Sequence, residues 1–326
     1  MNPPPLSVAM PVHNALPFLD EAIASILRQS FADFEFVILD DGSTDGSGEA
    51  LRRWAEKDKR IRLIASETKV GPVASSNRVV AEARAPLVAR MDADDVAHPE
   101  RLARQMDLIR AEPGTVLVGS IYDTIDGSGR RVRPADYARL SRQSVFAPLA
   151  HPTILFRRDA FDRAGGYRDE AARWEDIDLY LRMAREGRIL VVAQPLISVR
   201  VSNANTRLSA TPGELEEAMD RMYRTVGLSR PKADGRGKLL PHSFLAGGSI
   251  RLWNGQRPRM LGPLWRRGAL RPDLATARML VWAAWADLSP RSLRLFLKAL
   301  VTVKNRSARR RIGAAPYVEW KPARPA

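Results

Sequence analysis

Apolar and polar positions alternate along the first two hundred residues in two registers. Short apolar runs, LSVAMPV (6–12), FEFVILD (34–40), IRLIA (61–65) and LVARM (87–91), have the length of buried strands. Between them, apolar residues recur at helical spacing. Phe18, Leu19, Ala22, Ile23, Ile26 and Leu27 follow Pro17, a residue suited to a first helical turn; a second helix runs through Ala50, Leu51 and Trp54, and a third over 73–83. Strands alternating with helices predict the α/β class: a mostly parallel sheet flanked by helices on both faces. In such sheets ligands bind outside the carboxyl ends of the strands. Two of the strands end there in acid, Asp40-Asp41 and Asp92-Ala93-Asp94-Asp95.

Beyond about residue 205 the pattern changes to helices with arginines between them. Leu274, Ala277, Val281, Ala284 and Trp285 share one helical face, and Leu293, Phe296, Leu297, Leu300 and Val301 another, with Ser289-Pro290 separating them. KADGRGK (232–238) reads as a loop, and YVEWKPARPA at the end as a frayed terminus. The expected organisation is an α/β domain over 1–205 and a basic helical C-terminal region over 206–326.

Charge sharpens that division. The net charge is +15, but residues 1–200 hold 28 Lys and Arg against 29 Asp and Glu, while residues 201–326 hold 24 against 8. The whole basic excess lies in the second part. Cysteine is absent, which excludes disulfides, thiolate metal sites and a cysteine nucleophile. The remaining metal ligands are carboxylates and four histidines, so any metal is expected to be a hard, oxygen-bound one. MNPPPLSVAMPVHN has neither a basic leader nor a long apolar core, and no run is long enough for a spanning helix. The expected location is the cytoplasm, with peripheral residence at the inner face of a membrane as an extension of that reading.

Two carboxylates two residues apart at a strand end can reach one centre, but without a cation their repulsion and desolvation are costly. A Mg²⁺ or Mn²⁺ ion that keeps waters and is completed by substrate phosphates removes that cost. A solvated acidic loop capping the helix that begins near Pro99 is the alternative. FVILDDGSTDGS (36–47) repeats the theme: a buried strand, paired acids, then a turn whose acceptors could meet a base or ribose. There is no P-loop and no G-x-G-x-x-G, so phosphates are not expected in a glycine cradle.

Taken in order, PVHN (11–14), ILDDGSTDGS (38–47), MDADD (91–95) and WEDIDLYLRM (174–183) resemble the family 2 glycosyltransferases of GT-A fold, over roughly residues 6–205. The resemblance implies an inverting transferase that moves a sugar from a nucleoside-diphosphate donor (UDP, dTDP or GDP) to a hydroxyl of a glycan or lipid-linked acceptor. It places Pro11, Val12, His13, Asn14 and Asp41 at the donor base with Asp40 close by, Asp92 on the ribose side, and Asp94 on a Mn²⁺ or Mg²⁺ ion bridging the two phosphates. Asp176 matches the catalytic base. His151, Gly166 and Trp174 fall on the acceptor side with Glu175. Many relatives carry an arginine followed two residues later by a histidine; this chain keeps Arg200 but has Ser202 at the second position, which leaves the last metal ligand open.

The residues support those assignments on chemical grounds, since sugar transfer needs a neutralised diphosphate and a base for the acceptor hydroxyl. Acids in the first turn of a helix are also stabilised by the helix dipole whatever their role. A like charge from Glu175 or Asp178 close to Asp176 would favour proton uptake there; alternatively, Asp178 is a solvated helix residue. Trp174, Gly165-Gly166 and His151-Pro152 each also suit a packing or turn role.

The basic region, with Trp265, Trp282, Trp285 and Phe296 among arginines and KNRSARRR at 304–311, suits an anionic membrane surface; docking of its apolar faces on the first domain is the alternative. A nucleic-acid binder with an inactive domain is the rival of a different class, but no nucleic-acid module is present and none is expected as partner. A nucleotidyltransferase is the rival among enzymes, and PVHNALPFLD lacks the glycine- and arginine-rich loop typical of that class.

Overall fold

A computed structural model describes residues 3–133 and 149–201, the helical positions 217, 220, 221 and 224, and a strand at 317–320. The elements of the first half follow the hydrophobic pattern closely: β1 (Ser7–Val12), α1 (Leu16–Leu27), β2 (Glu35–Asp41), α2 (Ser47–Lys57), β3 (Ile61–Ser66), α3 (Pro72–Ala81) and β4 (Leu87–Arg90). After the acidic loop come β5 (Val96–Ala97), α4 (Arg101–Ala111), β6 (Thr115–Ile125), β7 (Arg131–Arg133), β8 (Leu155–Arg157), α5 (Arg158–Arg163), α6 (Glu175–Glu186), β9 (Arg188–Arg200) and β10 (Tyr317–Trp320).

The strands form one mixed sheet in the order β10-β9-β6-β8-β4-β1-β2-β3. β4, β1, β2 and β3 are mutually parallel. β8 runs antiparallel between β4 and β6, β6 and β9 are parallel, and β10 closes the far edge antiparallel to β9. Alternation along each strand divides the core. Val8, Met10, Phe36 and Ile38 face α1, α2 and α4, packing with Leu19, Ile23, Leu51, Leu102 and Met106. Ala9, Val37 and Leu39 face α3, α5 and α6, packing with Val79, Val80, Phe161, Leu179 and Tyr180. Each fully buried aliphatic or aromatic side chain contributes about 1.5–3 kcal/mol, and β1 and β2 supply such residues to both faces. That is why these strands read as continuous apolar runs.

The mostly parallel α/β expectation holds, with β8, β10 and the short β5 and β7 as antiparallel members. One expectation is corrected. The C-terminal stretch does not simply fray, because Tyr317–Trp320 pair with Val192–Ile189 on the outer edge of β9. The helical faces at 274–301, the 232–238 loop, the 304–311 basic run and Ser202 lie outside the described residues, as does nearly all of the stretch on which the division near 205 depends.

Candidate active site

The parallel register aligns the carboxyl ends of β1, β2 and β4, since Val12 pairs with Asp40 and Ala9 with Arg90. The loops that leave these strands therefore lie side by side on one edge of the sheet. Val12 is buried and Pro11 half-buried at the end of β1. His13 Nδ1 donates to the Asp41 carbonyl at 2.8 Å, and Asn14, at φ +53°, accepts the Thr44 N–H on Oδ1 at 2.8 Å. Asp40 Oδ1 accepts the Ser43 N–H at 3.0 Å. Both carboxylate oxygens of Asp41 accept backbone N–H groups at the start of α3, from Val70 at 2.7 Å and Gly71 at 3.0 Å. Gly42, at φ +64°, has to be glycine: a Cβ there would lie 2.8 Å from Lys69 N, because the β3–α3 loop crosses directly over it. His13, Asn14, Asp40 and Asp41 thus brace three loops against one another around the predicted base site.

The Asp92–Asp95 loop is built differently. Asp92 is half-buried and paired with Arg90 Nη2 at 2.8 Å. Asp94 is half-buried, and burial together with the neighbouring Asp92 pushes its carboxyl up to about 6. Asp95 is buried; burial and the charges of Asp94 and Asp92 push it well above the usual carboxylate range, although its Oδ1 accepts the Arg200 N–H at 2.7 Å. β5 brings the end of β9 here by pairing Val96 with Ser198.

Arg200, buried, gathers the loop together. Its Nε donates to the Asp94 carbonyl at 2.7 Å, Nη1 to the Asp126 carbonyl at 2.9 Å and Nη2 to Glu21 Oε2 at 2.6 Å, while its guanidinium stacks over Phe18. The arginine singled out by resemblance is therefore a brace for the acidic loop. Two further arginines went unnoticed in the sequence. Arg90 sits within an apolar strand and Arg101 opens α4 fully buried, its guanidinium pushed down to about 9 by burial despite the charges of Asp95 and Asp92. A cation inside the apolar run LVARM was the available signal. These arginines correct the premise that the acids have no counter-charge without a metal.

Of the residues expected on the acceptor side, His151 and Gly166 meet at Tyr167. His151 Nε2 is hydrogen-bonded to the Tyr167 hydroxyl at 2.7 Å, with the rings edge to face. Asn77 of α3 holds the Tyr167 backbone from both sides, accepting its N–H at 2.9 Å and donating to its carbonyl at 2.8 Å. Gly166, at φ +62°, packs so closely that a Cβ would lie 2.8 Å from Asn77 Oδ1. Arg182 Nη2 donates to the Gly166 carbonyl at 2.6 Å, and Arg182 Nη1 also binds the Ala164 carbonyl. Trp174 is half-buried at the N-cap of α6 and packs on the core.

Asp176 is buried in the first turn of α6, where Oδ1 accepts the Ile177 N–H at 2.8 Å. Asp178 is neither solvated nor a bare like charge beside it. It is fully buried between Arg168 at 2.6 Å and Arg182 at 2.6 Å, which correct both sequence readings of that residue. The Tyr167 hydroxyl links the two halves: burial pushes it far above the ordinary phenol value, and Arg90 on one side and Asp176, Asp92 and Glu175 on the other act on it electrostatically. The acids at the end of β4 and those opening α6, such as Asp92 and Asp176, distant in sequence, thus both act electrostatically on one buried tyrosine.

A strand-end acidic loop beside braced nucleotide-type loops on a mixed α/β sheet is the arrangement of nucleotide-sugar transferases of the GT-A type. The family described as Glycosyl transferase family 2 matches residues 7–165. EpsE of Bacillus subtilis (strain 168), named as a glycosyltransferase, is 34% identical over 193 residues, covering 56% of this chain and 68% of EpsE. The O-antigen biosynthesis glycosyltransferase WbnJ of Escherichia coli is 29% identical over 214 residues, covering 63% of this chain and 83% of WbnJ. Among solved structures, S. aureus TarS 1–349 in complex with UDP-GlcNAc aligns with a TM-score of 0.56 at 20% identity, covering 79% of this chain and 74% of that one. Mannosyltransferase PcManGT from Pyrobaculum calidifontis, in complex with GDP-Man and Mn²⁺, aligns with a TM-score of 0.58 at 17% identity, covering 94% and 87%. The chain belongs to the family 2 glycosyltransferases.

Proposed function

We propose that the chain transfers a sugar, with inversion, from a nucleoside-diphosphate donor to a hydroxyl of a glycan or lipid-linked acceptor in the assembly of a surface polysaccharide. The observation that carries this reading is that Asp92 of the β4 loop and Asp176 of the α6 first turn both act electrostatically on the same buried Tyr167 hydroxyl, which supports a donor-side acid and a base serving one site. The O-antigen role printed for WbnJ supports the polysaccharide setting.

Pro11–Asn14, Asp40 and Asp41 frame the base, and Asp92 lies on the ribose side. The donor set suits a divalent cation that keeps waters. Among the described residues no group of three or more His, Asp or Glu gathers around one point, so Asp94, with its half-buried oxygen ligands, would hold Mn²⁺ or Mg²⁺ jointly with the diphosphate. Bound there, the ion supplies neutralisation of the leaving diphosphate, and PcManGT is a GT-A-type neighbour solved with Mn²⁺. Asp176 takes the acceptor hydroxyl proton as the oxygen bonds to the anomeric carbon and the bond from that carbon to the diphosphate breaks. Arg182 and Asn77 hold the Gly166–Tyr167 turn on the acceptor side, and Arg200 holds the acidic loop.

The domain reading follows the same lines, with 1–205 as the transferase domain and the basic region at an anionic membrane surface on the cytoplasmic side. No helix among the described residues is long and apolar enough to cross a membrane. Calorimetric titration of UDP, dTDP and GDP, with and without Mn²⁺, tests the donor reading. One of them is expected to bind in a metal-dependent way that Asp94→Asn weakens; binding of none, or metal-dependent binding untouched by Asp94→Asn, contradicts it.

A further inference from the structure

Arg101 has an unusual set of partners for a buried cation. It is fully buried, and its guanidinium donates to the Arg90 carbonyl at 2.7 Å, the Ile154 carbonyl at 3.3 Å and Gln105 Oε1 at 3.1 Å, and touches Met91 Sδ at 3.5 Å. Every one of these partners is neutral. Burying a guanidinium is costly unless negative charge compensates it, and the negative charge that acts on Arg101 comes from Asp95 and Asp92. Gln105 extends the same lattice, donating to the Val118 carbonyl at 3.0 Å and the Thr153 carbonyl at 2.7 Å. Arg101 and Gln105 together therefore tie the end of β4, just before Asp92, to Ile154 and the His151–Thr153 turn before it.

The charges around the acidic loop nearly cancel. Asp92, Asp94 and Asp95 are backed by Arg90, which pairs with Asp92, and by Arg101; Arg200 braces the loop while paired with Glu21 at the surface. Even with every group ionised, the four carboxylates Glu21, Asp92, Asp94 and Asp95 meet three guanidiniums, so a loop that spells three acids presents at most about one net negative charge. Divalent-cation affinity rises with the net negative charge of the ligand set.

We propose that Arg101, with Arg90, sets the cation affinity of the Asp92–Asp95 loop, so that the loop holds a divalent ion weakly alone and firmly only when a donor diphosphate adds its own charge. Arg101 is a positioning and charge-setting residue and does not touch substrate. The proposal rests on the loop being the cation and diphosphate site. Its effect is that the ion arrives with the donor, and a donor-free protein does not accumulate it.

The test is Mn²⁺ binding to the full chain, followed by the paramagnetic signal of free Mn²⁺, without nucleotide and with UDP or GDP. The free wild-type protein is expected to bind Mn²⁺ at least about tenfold more weakly than the protein with its nucleotide. Arg101→Gln should tighten nucleotide-free binding about tenfold by removing one positive charge, Arg101→Lys should stay near wild type, and adding Asp94→Asn to Arg101→Gln should abolish the gain. Circular dichroism establishes that each variant is folded. Where Arg101→Gln does not fold, Arg90→Gln carries the same expectation. Mn²⁺ binding to the free wild-type protein as tight as in the presence of nucleotide, or a folded charge-removed variant with no gain, overturns the proposal. Failure of UDP and GDP to bind at all would count against the donor reading, while the nucleotide-free comparison of wild type with Arg101→Gln still decides the role of Arg101.

Discussion

Single side chains around the site divide into those that a sequence pattern can disclose and those that it cannot. Asp41, Asp92 and Asp94 stand at the ends of apolar strands, and that placement is local in sequence. Arg101 and Asn77 are not legible in that way, because their partners lie up to 90 positions away. Asp178 is the sharpest case. It sits in a helical first turn where acids are ordinary, yet it is wholly buried and bridges Arg168 and Arg182. Arg182 in turn holds the carbonyls of Ala164 and Gly166, so Asp178 supports the turn that carries Tyr167. Removing one partner of a buried ion pair leaves the others uncompensated. Asp178→Ala should lower stability by about 3–5 kcal/mol, measured by urea unfolding, and a loss below about 1 kcal/mol, the scale of an exposed pair, would contradict the bridging role.

Among elements, β1 through β4 begin and end within a residue or two of the apolar runs that predict them, because β1, β2 and β4 are buried on both faces and all four are flanked by turn residues, while β3, at the sheet edge, buries only Ile61 fully. Order in the sheet is another matter. β8 is a three-residue strand inserted antiparallel between β4 and β6, and no local pattern specifies a pairing between segments so far apart. β10 was missed for the same reason: YVEW lies among prolines and basic residues, and only its pairing with β9 makes it a strand. An uncovered β9 edge would present unpaired backbone groups along Ile189–Val192. Removing residues 317–326 should therefore cost about 1–3 kcal/mol and lower the thermal midpoint, with self-association visible by light scattering. An unchanged midpoint and a monodisperse sample would show that β10 is dispensable.

For the whole molecule, the near-neutral α/β part and the basic remainder are separate in charge, but the chain returns from the basic stretch to the same sheet at β10. Truncation before 304 would thus remove a strand along with the charge. The membrane reading is better tested by replacing Lys304, Arg306, Arg309, Arg310 and Arg311 with glutamine. At about 1 kcal/mol per basic residue near an anionic surface, sedimentation with phosphatidylserine vesicles should fall steeply, and an unchanged bound fraction would favour the docking alternative. The central claim, that Asp176 acts as the base opposite a donor held by the acids of β2 and β4, is most directly tested by Asp176→Asn. With the nucleotide identified by titration and the corresponding nucleotide sugar supplied with an acceptor extract, donor affinity should stay near wild type while transfer falls by about 10²–10⁴-fold. Transfer at the wild-type rate would place the base elsewhere and contradict the account.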